Sequence, residues 1–529
     1  MTTSSSSQPE FSRWRSALWP VRRYELKKLI PMLLMFFLIS FNYNILRVMK
    51  DTLVVTAKSS GAEVIPFIKV WVMFPGAIFM TFLFTRLSNR FKRETVFYIM
   101  MGLFLGYFSL FAFFLYPARD YLHPNATADF FETVLPLGFK GLIAMYRNWS
   151  FTIFYALSEL WGSIVLFVLF WGFANQVTRV EEAKRFYGLF GIGANFSGVA
   201  AGQASVFIYL KEYNPSLPFG TDAWGQSMIM LISMVIVSGL IAICIFRWIN
   251  THILNDPRFY NPAQVNEEKE VKGKLSMRES FSYLLRSKYM ICIALIVVSY
   301  NLVINLVEVL WKHELCELYP NPSDYNFYMN QVSTLIGVIA TLTALFVSSN
   351  AIRRCGWTFT AMLTPIILLF TSIGFFGFFF FKGDLSDVIM EIFGVTPLWM
   401  VVFFGAAQNV MSRAAKYTVF DATKELAFVP LSPELQLKGK PAIDGICSRL
   451  GKSSGSVVHQ SLLLMLSTFA ASAPYIAGVL VITISIWMVA TRVLGKQFIE
   501  ITAQAQTETP HKEKAVLLAD TTLKEQQAT

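Results

Sequence analysis

Charge is scarce in this sequence. Asp, Glu, Lys and Arg make up 15% of its 529 residues, against 54% hydrophobic ones, where a soluble domain carries nearer a quarter charged. The mean hydropathy of +0.50 excludes a water-bounded globular chain and identifies an integral membrane protein. Cysteine is scarce too. Cys244, Cys292, Cys316, Cys355 and Cys447 are scattered and match neither a disulfide framework nor a metal-binding spacing. Within the apolar stretches there is no His-x-x-x-His, no paired aspartates and no Ser-His-Asp grouping. A polytopic enzyme needs a nucleophile with its base, or a metal set, so no catalytic residue, metal ligand or cofactor is expected. His313 and His459 are candidate proton carriers, but a lone histidine in a helix is more often simply hydrogen-bonded.

What is abundant is long apolar sequence. A bilayer-crossing helix takes about 20 mostly apolar residues. Twelve such runs occur, roughly 28–50, 64–86, 95–117, 148–178, 184–210, 225–249, 288–312, 326–350, 357–381, 393–416, 442–470 and 472–492. They are too long and continuous for barrel strands. The expected fold is an all-α polytopic membrane protein. Phe and Trp stripes along the runs read as lipid-facing or interfacial.

The formal charge of +11 is unevenly placed. Lys and Arg gather at the N-terminus (Arg13, Arg15, Arg22, Arg23, Lys27, Lys28), after run 2 (Arg86, Arg90, Lys92, Arg93), after run 4 (Arg179, Lys184, Arg185), after run 8 (Arg353, Arg354) and in 247–288 and 413–449. By the positive-inside rule both termini are cytoplasmic. Basic groups that alternate with spans do not form one nucleic-acid-binding face, so no nucleic acid partner is expected. The first run is too long for a signal-peptide core and no cleavage site stands out, so the N-terminus is expected to be retained. Five regions follow: a cytoplasmic tail at 1–24, a six-helix bundle at 25–250, a cytoplasmic linker at 251–286, a second six-helix bundle at 287–500 and a polar, disordered cytoplasmic tail at 501–529.

The two bundles echo each other. Run 4 ends WGFANQ (171–176) where run 10 has FGAAQN (404–409). SNRFKRE (88–94) follows run 2 and SNAIRRC (349–355) follows run 8. Run 1 closes on Asn44, Arg47 and Lys50, run 7 on Asn305, Glu308 and Lys312. ANFSG (194–198) in run 5 matches GKSSG (451–455) in run 11. Four matches in one order indicate an internal repeat, hence twelve transmembrane helices in two pseudo-symmetric bundles, like the major facilitator fold. The loop motif G-x-x-x-D-R-x-G-R-R is absent after run 2, which makes an ordinary sugar-porter-type member less expected than a divergent one.

Charge inside a span costs roughly 2.5–3.5 kcal/mol on insertion scales, so such residues usually act. Glu159 is the only Asp, Glu, Lys or Arg between Asn148 and Thr178. Lys69 lies in PFIKVWVMFPG, Glu308 in NLVINLVEVLWK, and Lys452 in run 11. Nearer the ends stand Arg47, Lys50, Lys312, Arg413 and Lys416, with Asn195, Asn301 and Asn305 as neutral polar groups. Inter-helix clasps would need balanced signs. The basic excess points to an anionic substrate that supplies the missing charge, bound near the midplane between the bundles. The stretch GICSRLGKSSG (445–455) nearly matches a P-loop but has one residue too many between its glycines, and no strand precedes it. Lys452 is instead a cation about 15 Å along a helix that starts near Ala442, with small neighbours that permit close packing.

At this point the sequence resembles the non-mitochondrial ATP/ADP translocases of obligate intracellular bacteria and plastids, most closely the chlamydial type. The resemblance rests on LRVMKDTLVVTAKSSGAEVIPFIKVWV (46–72), ALSELWGSIVLFVLFWGFANQVTRVEEAKRFYGLFGIGAN (156–195), INLVEVLWKHEL (304–315), KYTVFDATKELAFVPL (416–431) and KGKPAIDGICSRLGKSSG (438–455). It implies exchange of ATP for ADP by alternating access without hydrolysis, with ATP and ADP as substrates, phosphate as a candidate third, and a bacterial inner membrane as the location. It also implies transport roles for the four positions that isolation in apolar runs had already marked: Lys69, Glu159, Glu308 and Lys452. Proton-coupled nucleoside triphosphate import or NAD import, found among relatives, is the alternative. A monomer is expected.

Overall fold

The computed structural model describes residues 21–178, 180–256, 287–346, 348–384, 386–431, 440 and 442–526. Of the expected linker at 251–286, residues 257–286 lie outside them, while 251–253 belong to a helix; of the expected tail at 1–24, residues 1–20 lie outside them, while 23–24 open a helix. A helix coincides with each of the twelve apolar runs. In chain order these are α1 (Arg23–Val55), α2 (Val64–Arg90), α3 (Arg93–Leu115), α4 (Trp149–Val177), α5 (Val180–Phe207) and α6 (Ala223–Ile253). The second half holds α7 (Lys288–Leu318), α8 (Pro322–Phe346), α9 (Ser348–Phe380), α10 (Pro397–Phe428), α11 (442–466) and α12 (Phe469–Gln526).

Among the described residues, eight helices are long and apolar enough to cross a membrane, and α10 makes nine when joined to the short helix Ser386–Phe393, at 76° to it. The other three are α5, α8 and α11. Their polar residues, such as Asn195, Asn330 and Lys452, dilute the apolar signal. These three helices form most of the contact between the halves. α5 packs along α8, and α11 packs against α2. Small residues allow that approach: a Cβ on Gly202 would lie 2.9 Å from Asn330 O, and one on Gly337 3.0 Å from Asn195 O.

Within each half one helix is central. α1 packs against α4, α5 and α6, and α7 packs against α10, α11 and α12. Buried tryptophans tie these centres to their neighbours, each satisfying its indole N–H on a backbone carbonyl. Trp161 of α4 donates to Ile39 O of α1 at 3.1 Å, and Trp311 of α7 donates to Val402 O of α10 at 3.0 Å. The repeat read in the sequence is thus a repeat of packing.

Two expectations are corrected. Residues 349–355, read as a loop, are helical and are set off from the rest of α9 by Gly356, whose φ of +77° breaks the helix. Residues 501–529, read as disordered, continue α12 as far as Gln526. The Ala, Gln, Glu, Lys and Leu of that stretch have high helix propensity, which polarity alone does not reveal.

The polar contacts that join the halves lie at the end of the bundle remote from the termini. Thr52 Oγ1 meets Asn326 Oδ1 at 3.3 Å, Gln203 Nε2 donates to Thr334 Oγ1 at 3.1 Å, and the Tyr209 hydroxyl donates to Asp324. Residues 116–148 form an excursion at this end, anchored by Arg147, which is fully buried and paired with Asp129 at 2.6 Å and Glu132 at 3.0 Å. The excursion also packs against α11 of the other half.

Candidate functional site

The intramembrane charges converge. Lys50 of α1 pairs with Glu159 of α4 at 3.4 Å and with Asp51 at 3.0 Å, its ammonium 3.8 Å from the Tyr155 ring centroid. Asp51 accepts from Lys312 of α7 at 2.8 Å. Lys312 also meets Glu308 one turn earlier at 2.9 Å, as spacing along one helix face requires. Glu308 in turn accepts from Arg413 of α10 at 3.0 Å. The result is one chain of ion pairs, Glu159–Lys50–Asp51–Lys312–Glu308–Arg413, which crosses from one half to the other at Asp51–Lys312.

Around this chain stand cations without a carboxylate. Among the described residues, no acidic group lies within ion-pair distance of Arg47, Lys69, Lys416 or Lys452. Lys69 nevertheless lies within electrostatic range of Glu308, Lys312, Lys50 and Glu159, and Lys452 within range of Lys416, Glu159 and Glu308. Arg47, Lys69 and Lys416 are half-buried and Lys452 is exposed. Each of the four residues is thus at least partly open to solvent, and the charges within range of Lys69 and Lys452 come from both halves. Seven basic groups (Arg47, Lys50, Lys69, Lys312, Arg413, Lys416, Lys452) share this centre with Asp51, Glu159 and Glu308, and with Asp421, which lies within electrostatic range of Lys416, so the basic groups outnumber the acidic ones by three.

The backbone departs from α geometry beside these groups. Lys69 opens a π-helical turn at Lys69–Met73, Lys416 opens one at Lys416–Phe420, and Glu159 lies two residues before the π-helical stretch Trp161–Trp171. Such turns change which way the following side chains face, and they recur at functional sites. The described part of α11 opens with a π-helical segment, Ala442–Cys447, ahead of Lys452.

The asparagines divide. Asn301 and Asn305 are not open to solvent as those cations are. They are buried in the seam between α7 and α11, where Asn301 donates to Val297 O at 2.8 Å and Asn305 to Lys452 O at 3.2 Å. Asn195 is half-buried, with its carbonyl against Gly337 of α8. His459 is buried too and meets Leu306 O at 3.0 Å through Nε2, while His313 faces Glu317 at 3.6 Å. The cysteines are free.

Asp51 is the residue that the sequence reading missed. It follows Lys50 at the end of run 1, where it looks like an interfacial charge, yet its side chain is 3% exposed. The only signal was its position one turn after Arg47. Rings were likewise left unassigned. Tyr43 of α1 and Tyr417 of α10 lie within electrostatic range of each other and of Arg47, and Tyr300 lies under Lys416, 5.8 Å from the ammonium to the centroid.

Two six-helix halves around a charged centre that is dominated by one sign define a membrane transporter of the major facilitator type. Solved structures agree on the fold. The inward-open xylose transporter from E. coli superposes with a TM-score of 0.52 at 13% identity, covering 89% of this chain and 96% of that one. A D-xylose-proton symporter gives 0.50 at 12% identity, covering 89% and 97%. The family model of the TLC ATP/ADP transporters matches residues 4–498, and the chain belongs to that family. It is 46% identical to ADP,ATP carrier protein 1 of Chlamydia trachomatis serovar D over 95% of this chain and 94% of the relative. It is 45% identical to ADP,ATP carrier protein 1 of Chlamydia pneumoniae over 96% and 99%. The chloroplastic ADP,ATP carrier protein 1 of Arabidopsis thaliana is 42% identical over 91% and 76%.

Proposed function

We propose that this protein is an antiporter that exchanges ATP for ADP by alternating access, without hydrolysis. The observation that carries the reading is the excess of positive charge at the interface of the halves. Metal-free ATP carries about four negative charges at neutral pH, and charge-assisted contacts to Lys and Arg are the strong ones available to phosphate. ADP carries one fewer, and still satisfies most of the set. The carrier names of the relatives point the same way, and a carrier leaves its substrate chemically unchanged.

Lys69 and Lys452 hold the polyphosphate from opposite halves, while Arg47, Lys50 and Lys416 set the potential around it. The two acids Glu159 and Glu308 keep neighbouring cations, Lys50 and Lys312 among them, paired when the site is empty. Tyr43 and Tyr417 are the rings placed to meet the base, and Asn195, Asn301 and Asn305 position the helices. Polar contacts at the end remote from the termini make this the form closed there. With both termini cytoplasmic, as the Lys and Arg distribution indicates, it faces inward. The location is a bacterial inner membrane, the working unit a monomer in lipid, and phosphate a further candidate substrate.

The test is uptake of labelled ATP into proteoliposomes. ADP inside is expected to drive uptake, and the nucleotide should be recovered intact. Equal uptake into ADP-free vesicles under a pH gradient would replace exchange with proton-coupled import, and NAD uptake without ATP uptake would replace the substrate.

A further inference from the structure

Asp51 has a singular position in the ion-pair chain. Its Oδ1 accepts from Lys50 at 3.0 Å and its Oδ2 from Lys312 at 2.8 Å, so one carboxylate holds a cation from each half. Both lysines have a second acid within their own half, Glu159 at 3.4 Å for Lys50 and Glu308 at 2.9 Å for Lys312. When the halves separate at the end remote from the termini, each lysine can keep a partner by turning back to that acid. Within the ion-pair chain, the Asp51–Lys312 bond alone must be given up. Both side chains are 3% exposed, and breaking a buried pair by removing one partner is strongly unfavourable. Next to the pair, Thr52 meets Asn326 at 3.3 Å and Cys316 Sγ lies 3.7 Å from Val55 O, so the bond sits within the contact that closes this end.

We propose that Asp51 is the coupling residue of the exchange: a carboxylate that latches the halves through Lys312 and is displaced by the substrate's phosphates, which compete for Lys50 and Lys312. The proposal rests on the nucleotide-exchange reading. In the empty carrier no anion competes, the latch stays shut, and the return step is slow. With a polyphosphate at the neighbouring cations, both lysines have an alternative anion and the halves part. A ligand can shift an equilibrium only through its differential affinity for the two states, and the latch supplies that difference. Asp51 therefore makes transport conditional on cargo, while Lys69 and Lys452 supply binding.

The experiment compares two rates in ADP-loaded proteoliposomes: exchange against external ATP, and net ADP efflux into nucleotide-free buffer. For the wild type, exchange should far exceed efflux. Absence of exchange there would refute the nucleotide reading itself, separately from the latch. In Asp51→Asn, which removes the charge and keeps the shape, the ratio of efflux to exchange is expected to rise about tenfold, with Asp51→Glu remaining close to wild type. Lys312→Gln, read in the same assay, is expected to uncouple in the same way and serves if Asp51→Asn does not fold. A folded Asp51→Asn that stays strictly coupled overturns the proposal. So does equal loss of exchange and efflux in both the Asn and Glu variants, which would mark Asp51 as merely structural.

Discussion

In the N-terminal half Asn44 of α1 leans on α5, where its amide reaches Ser197 Oγ at 3.4 Å and its side chain faces Gly198. In the C-terminal half Asn305 of α7 leans on α11 in the same manner, donating to Lys452 O at 3.2 Å and facing Gly455. One helix further round, Lys50 of α1 pairs with Glu159 of α4, and Glu308 of α7 pairs with Arg413 of α10. With Asn44 matched to Asn305, Glu308 falls at the level of Arg47 and not of Lys50, so each half ties its central helix to an outer one by an ion pair, but at a different level. What repeats is the asparagine seam. Residue type diverges within it at Asn195 of α5 and Lys452 of α11, where the first half has a neutral amide and the second a cation with no ion pair among the described residues. The seams keep the frame symmetric, and what binds the cargo breaks the symmetry.

The largest expected effect tests that break. Lys452→Ala should lower ATP/ADP exchange by about a thousandfold, the upper range for losing one preorganised group at a charged centre. Asn195→Ala should leave exchange within about threefold of wild type, the level of a lost neutral hydrogen bond. Equal losses, measured as initial exchange rates in proteoliposomes, would show that α5 and α11 contribute alike.

A smaller effect separates the two inter-helix ion pairs. Glu308 holds both Lys312 and Arg413 and is 17% exposed, whereas Glu159 holds Lys50 alone and is 36% exposed. Glu308→Gln leaves Lys312 with Asp51 alone, takes the carboxylate from Arg413 in a low-dielectric setting, and should cost about 2 kcal/mol of stability. Glu159→Gln leaves Lys50 with Asp51 and a wetter surround, and should cost about 0.5 kcal/mol. Thermal unfolding in detergent gives the order, and a Glu159 variant that melts lower than the Glu308 variant reverses the assignment of the central pair.

Much of this frame was visible in the sequence because membrane insertion makes apolar length legible. The runs, the midpoint at the 251–286 linker and the isolated Lys69, Glu159, Glu308 and Lys452 all stand out for one reason: charge in lipid is costly. Asp51 escaped because the same rule excuses a charge at the end of a run, and only the approach of α7 buries it. Asn301 and Asn305 stood out only as neutral polar groups in the runs, and the structure buries them in the seam between α7 and α11. Sequence period gives a helix face, not which neighbour covers it. The three polar helices α5, α8 and α11 show the converse. Their polar residues are tolerated because they face each other and the centre rather than lipid.

The smallest effect tests whether the frame really is shared, using the two glycines that face equivalent asparagines. A Cβ on Gly455 would come within 2.9 Å of the Asn305 Cβ, which sits on the α7 backbone and cannot turn away. A Cβ on Gly198 would meet Asn44 Oδ1 at 3.6 Å, an ordinary contact with the end of a side chain. Alanine in a helix gains roughly 0.5–1 kcal/mol over glycine, while overpacking costs typically 1–3 kcal/mol. Gly198→Ala should therefore be neutral or raise the melting temperature slightly. Gly455→Ala should lower stability by about 1 kcal/mol net and loosen the seam that holds Lys452. Because both substitutions make the same chemical change on matched helices, their difference isolates the spacing between α7 and α11 from that between α1 and α5. Matching melting shifts would mean that the two seams are equally wide, and that the tighter fit under Lys452 is not what sets its position.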